Sequence, residues 1–168
     1  VWQDGRLEEV LMGPEDRALL RSLLAEERLL TASLVADGEP MAGLLPFAPA
    51  ADFSALYVQA SQLAPHSRGL RPGARFSAVI HRPDTPEADP LRIPRAILEG
   101  VVEPLQGEHP GREAATRAFV KRFPAAAMTL ALADFSLYRL GITGGRLVAG
   151  FGRAHSLSPD DFRGLSGG

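Results

Sequence analysis

The stretch Leu29 to Phe47, LLTASLVADGEPMAGLLPF, carries the reading of the fold. Leu30, Ala32, Leu34 and Ala36 alternate with Thr31, Ser33 and Val35, the period of two that puts one set of side chains on each face of a β-strand. Asp37-Gly38 follows, a pair suited to the positive backbone angles of a two-residue hairpin turn. A second strand is therefore expected from about Met41 to Phe47.

The pattern continues on both sides of this hairpin. Upstream, Gly13-Pro14-Glu15-Asp16 signals a helix start, with proline in the first turn and two carboxylates at the positive end of the helix dipole. Leu19, Leu20, Leu23 and Leu24 recur at helical spacing and define a buried face. Downstream, Ala55–Ala60, Phe76–Ile80 and Ala96–Glu103 read as strands, the last with a bulge or bend at Gly100. A short helix is expected over Pro65–Arg71 and a longer one over Gly111–Arg122, stopped by Phe123-Pro124. Asp134–Leu140 and Arg146–Gly150 are read as two strands joined by a turn at Gly144-Gly145. The tail from Ser156 to Gly168 is expected to fray.

Strands in consecutive hairpins favour a closed or nearly closed antiparallel barrel with accessory helices over a parallel sheet. The expectation is a mainly β single domain over residues 1–168, with its core at about 29–158 and its N-terminal helix at about 14–28. There is no internal repeat.

Composition excludes more than it assigns. The 168 residues carry 18 basic and 20 acidic side chains, a net charge of -2, and no basic run to attract nucleic acid or anionic lipid. Without cysteine there are no disulfides, thiolate metal sites or cysteine nucleophiles. Val1 to Glu9 is polar and acidic, unlike a signal peptide, and no apolar run approaches the roughly 20 residues of a spanning helix. A soluble, cytoplasmic protein is expected. Lys121 is the one lysine, which disfavours Schiff-base chemistry.

Familiar catalytic signatures fail on context. Gly164-Leu165-Ser166-Gly167-Gly168 matches the nucleophile elbow in letters, but no helix follows the serine. His66, His81, His109 and His155 lack metal-ligand spacing, so no metal site is expected. The informative segment is Ser61 to Arg75, SQLAPHSRGLRPGAR, where hydroxyls, a histidine and arginines cluster after a strand. Such donors suit a phosphate monoester, and they also suit a solvated helix face, since exposed arginines are common and need no ligand.

Asp37-Gly38-Glu39-Pro40 with Leu44-Leu45-Pro46-Phe47, then Ser61 to Leu70, Leu98-Glu99-Gly100 and Val148 to Ala154 together resemble the pyridoxamine 5'-phosphate oxidase-like FMN-binding split-barrel superfamily, and within it the haem-utilization branch. The resemblance runs from about Leu29 to Ser158. It implies an antiparallel split β-barrel of roughly six strands that forms a homodimer with cofactor sites between subunits. It also implies FMN as cofactor, with Leu44, Leu45 and Pro46 along the flavin, Ala60 and Ser61 at the neighbouring strand end, and His66, Ser67 and Arg68 at the phosphate. The chain departs from the pattern at Gly69, where asparagine is usual, and at His66, where the true oxidases carry lysine. Toward its C-terminus it has Phe162-Arg163-Gly164-Leu165 where those oxidases carry an Arg-Leu-x-Pro tail, so vitamin B6 oxidation is not expected.

Three functions follow from the resemblance. The first is a flavin-dependent oxidoreductase acting on a small molecule. The second is a haem-binding or haem-degrading protein, with His155 as candidate iron ligand and Arg153 or Arg68 at the propionates. The third is a non-catalytic flavin-binding or interaction module.

Overall fold

A computed structural model describes residues 12–87 and 89–167. The segment Val1 to Glu9, read above as no signal peptide, lies outside the described residues. Helix α1 (Pro14–Glu26) precedes strands β1 (Leu29–Ala36), β2 (Glu39–Pro49), β3 (Ala55–Ser61), β4 (Arg75–His81) and β5 (Arg95–Pro104). Helices α2 (Arg112–Arg122) and α3 (Ala126–Thr129) follow, then β6 (Phe135–Gly150), β7 (Arg153–Leu157) and α4 (Pro159–Arg163).

The seven strands form one antiparallel sheet in the order β3-β2-β1-β4-β5-β6-β7, and an extra pairing of β3 with β6 closes the first six into a barrel. Closure leaves no free edge between β3 and β6. The β1–β2 hairpin turns at Asp37 and Gly38, both with positive φ of 56° and 83°. This is the mirror-image turn whose twist matches that of the flanking strands. Burial alternates along the whole of β1, with Leu30, Ala32, Leu34 and Ala36 inside.

Leu20, Leu23 and Leu24 of α1 are fully buried, and join Leu45, Phe47, Leu56, Ile80, Leu98 and Leu140 in the main core. Each such side chain contributes roughly 1.5–3 kcal/mol relative to exposure. A smaller cluster of Leu105, Ala115, Phe119 and Leu137 seats α2 on the sheet. Arg122 Nη1 donates to the carbonyl of Ala25 at 2.7 Å, a cation placed where α1 ends in unpaired carbonyls.

The bulge expected at Gly100 is present as a register shift between Glu99 and Gly100. A Cβ there would lie 1.9 Å from the Gly141 carbonyl oxygen, so β5 and β6 approach as only glycine allows. Replacing Gly100 with alanine is expected to destabilise the fold by about 3 kcal/mol, the upper end of ordinary overpacking costs. Urea denaturation checks this, and a loss under ~0.5 kcal/mol, ordinary for an unconstrained surface site, would show that the strands have room to part.

Two expectations are corrected. Gly144-Gly145 is no turn: β6 runs unbroken for 16 residues through it. Its first part pairs with β3 and its last part with β7, while β5 lies along most of its length. A Cβ on Gly145 would sit 2.3 Å from the Ile97 carbonyl oxygen, so this glycine serves a close backbone approach. The described part of the C-terminal segment also does not fray, because β7 adds to the sheet and α4 buries Phe162 fully, with Leu165 in the same core.

Candidate functional site

The predicted site residues fall into three places. The first is the 3-10 turn Pro65–Gly69. The His66 ring lies against Gly43 of β2, where a Cβ would meet it at 2.7 Å. Burial pushes the His66 pKa down, and its Nε2 is shielded without a hydrogen bond among the described residues. The Ser67 hydroxyl donates to the Ser61 carbonyl at 2.6 Å, while the Ser61 hydroxyl donates to Asp134 at 2.9 Å. Arg68 and Arg71 both stand at Asp37, at 3.7 and 3.3 Å. Ala60 is buried where it pairs with Ser136 and presents no side chain to a ligand.

The second place is the outer face of β1, β2 and β4. Leu44 is 64% exposed, whereas Leu45 points into the core and Pro46 is half-buried. One row crosses the face: Thr31 pairs with Leu44 on one side and with Val79 on the other, and Val79 in turn pairs with Ile97 and Ile97 with Arg146. One step along the strands, Leu29 pairs with Pro46 and His81 with Arg95. Leu29, Thr31, Leu44, Val79 and His81 line an open groove of about 350 Å³ whose rim carries Glu26, Glu27 and Arg28. That volume is at the lower end of small-molecule sites, roughly 300–1,000 Å³.

The third place holds the candidate iron ligand. His155 on β7 is buried, and its Nε2–H donates to Asp16 Oδ2 at 2.7 Å. Arg153, two residues back, donates to the other carboxylate oxygen. Burial alone would raise the Asp16 pKa, but hydrogen bonds and charge from Arg153 and His155 outweigh it and hold the carboxyl below its ordinary value. This trio fastens the first turn of α1 to β7. The structure thus brings Ser61, Ser67 and His66 together, sets Leu44 on the opposite side of β2 from His66, and commits His155 Nε2 to a carboxylate.

The sequence reading used Asp16 only as a helix-start signal, set His81 aside with the other histidines for want of metal-ligand spacing, and passed over Arg95 and Arg146. Strand parity carried the signal for His81, since it follows Ser77 and Val79 at a spacing of two. Asp16 offered none, lying 139 positions from its partner.

A closed six-stranded antiparallel barrel flanked by helices, with a groove on its sheet face, defines a split-barrel protein. Residues 19–163 match the CREG beta-barrel family, and the chain belongs to it. The resemblance to the FMN-binding split-barrel superfamily holds at the level of fold.

Among solved structures, a haem-binding protein from Mycobacterium smegmatis is similar at 27% identity and a TM-score of 0.77, over 92% of this chain and 62% of that one. The chain therefore spans less than two thirds of that relative. HutZ, a haem storage protein from Vibrio cholerae, shares the fold at 21% identity and a TM-score of 0.65, over 79% of this chain and 91% of its own. An FAD and haem binding protein from Mycobacterium smegmatis does so at 22% identity and a TM-score of 0.61, over 96% of this chain and 81% of its own. No curated protein matches the sequence. No described helix is long and apolar enough to cross a membrane.

Proposed function

We propose that this protein binds haem on the outer face of β1, β2 and β4, as a homodimer whose second copy covers the open side of the groove. The observation that carries the reading is the groove itself: an apolar floor with Leu29 51% and Leu44 64% exposed, next to an exposed imidazole. Large aliphatic side chains left in water on one face call for a cover, and a porphyrin plane with a symmetric partner supplies one. The haem-binding relative from Mycobacterium smegmatis, similar over nearly all of this chain, supports the same ligand class.

The residues fit the group. Haem is a flat apolar plate with two carboxylates at one edge, and the same sheet face carries Arg95 and Arg146 beyond Val79 and Ile97. Arg146 has no acidic partner among the described residues. The rim carboxylates Glu26 and Glu27 are bridged by Arg82 at 2.9 and 2.8 Å, and one guanidinium against two carboxylates leaves a net negative charge at that end, so the propionates would point away from it, toward Arg95 and Arg146. Haem, when bound, supplies a redox-active iron. The chain binds and orients it, and excludes water from one face.

FMN is the second reading, favoured by the turn Pro65–Gly69, whose Arg68 shares Asp37 with Arg71 just beyond the turn. A flavin phosphate would have to take these guanidiniums from Asp37, and the Ser67 hydroxyl is already used. The turn thus supports phosphate binding less well than the groove supports haem. Flavin-dependent oxidoreductase activity on a small molecule belongs to this second reading.

Titrating the purified protein with haemin and, separately, with FMN distinguishes the two by absorption. A saturable Soret band at micromolar haemin is expected, with weaker or no perturbation of the flavin bands. A tight flavin response without a Soret band would reverse the order of the two readings.

A further inference from the structure

We propose that His81 is the side chain that ligates haem iron, through Nε2, on the outer face of the barrel; the assignment rests on the haem reading above. His81 ends β4, and strand alternation places it outward with Val79 and Ser77 while Phe76, Ala78 and Ile80 are buried. It lies across from Arg95, and it lines the same groove as Leu29, Thr31, Leu44 and Val79. The imidazole therefore stands where the apolar floor meets the arginines.

Its tautomer is set by a single contact. His81 Nδ1 is 2.7 Å from the Arg82 carbonyl oxygen, which can only accept, so Nδ1 carries the proton. In the neutral ring, Nε2 then holds a lone pair. Metal-binding histidines are oriented in this way, with the second ring nitrogen donating to a carbonyl or carboxylate. Arg82 is itself held in place, since its guanidinium bridges Glu26 and Glu27 at the end of α1 and donates to the Ser22 hydroxyl at 2.7 Å. The residue whose carbonyl orients the imidazole is thus anchored to the helix that forms the groove rim.

The other histidines are engaged elsewhere. His155 Nε2–H is given to Asp16 inside the protein. His109 donates from Nε2 to Glu103 at 3.2 Å and accepts the Gly111 N–H at Nδ1, so neither nitrogen has a free lone pair. His66 Nε2 is shielded from solvent, with its ring against Gly43. Of the four, His81 alone is exposed, and it shows no hydrogen bond at Nε2 among the described residues.

The test is a haemin titration of the full chain and of His81→Ala and His109→Ala, read by Soret position and by the electron paramagnetic resonance of the ferric complex. Far-ultraviolet circular dichroism of each variant checks the fold, which an exposed strand-end substitution leaves intact. The wild type is expected to give a saturable Soret band and a spectrum with an imidazole ligand. His81→Ala is expected to lose at least about tenfold in affinity, the low end for disturbing a metal-ligand shell. Its spectrum is expected to change and to be restored by added imidazole. His109→Ala is expected to match the wild type. If His81→Ala keeps the wild-type spectrum and affinity, the ligand lies elsewhere and only this assignment falls. If the wild type itself gives no saturable Soret band, the haem reading falls, and this assignment with it.

Discussion

Replacing Asp16 with alanine is expected to cost on the order of 3 kcal/mol of folding stability, the low end for breaking a buried ion pair by removing one partner. Asp16 is buried in the first turn of α1 and receives hydrogen bonds from His155 and Arg153. Its removal strands a buried imidazole N–H without its acceptor and releases α1 from β7. Arg153, 53% exposed, can recover water, which keeps the cost at the low end. For a domain of this size, about 3 kcal/mol corresponds to a fall in Tm of roughly 6–12 °C. A change within ~0.5 kcal/mol, as for an ordinary surface substitution, would show that the trio does not hold the helix.

The same contact sets a pH dependence. The Asp16 carboxyl is held below its ordinary value of 3.8, so the folded state binds its proton less readily than the unfolded state does. Its contribution is complete above that ordinary value and is lost as pH falls through the lower folded value. The stability gap between wild type and Asp16→Asn should therefore be full at neutral pH and shrink below about pH 4. A gap that widened on acidification would have the wrong sign for a carboxylate stabilised in its charged form.

Phe162→Ala is expected to cost about 3–5 kcal/mol, the ordinary range for emptying a buried aromatic site. Phe162 is fully buried in the same core as Leu20 and Leu24 of α1, and Leu165 lies beside it. The helix that presents it starts at Ser158, whose N–H and hydroxyl both donate to Asp161 at 2.8 and 2.7 Å. Thermal and denaturant unfolding measure the loss. A cost under ~0.5 kcal/mol would mean that the C-terminal segment detaches without consequence, as a frayed tail would.

The parts of the fold that were legible are those whose cause is local. Asp37-Gly38 marks a hairpin because the required backbone angles select those residue types, and period-two alternation in β1 reads directly as inside and outside. Gly144-Gly145 misled because glycine serves both a turn and a close approach of backbones. Only the neighbouring strand, some forty-five residues away in the chain, decides between them. The C-terminal helix did have a local signal, Ser158-Pro159-Asp160-Asp161, with an N-cap serine, a proline in the first turn and an acid three residues on.

The candidate site was less legible. Ser61, His66 and Ser67 gather at one turn because they are close in sequence. His155 cannot be told from a free histidine until Asp16, at the other end of the chain, is seen beside it. His81 looked unremarkable in sequence because its neighbours belong to three other strands, and only the folded barrel sets Arg95 across from it and Leu29 and Leu44 in the same groove.

The most direct test of the account is to locate the iron. Crystals of the protein grown with haemin, measured at the iron absorption edge, should show one anomalous peak per chain on the outer face of β1, β2 and β4, bonded to His81 Nε2 and covered by a second copy. A peak at the turn Pro65–Gly69 or beside His155, or no iron bound at all, would contradict it.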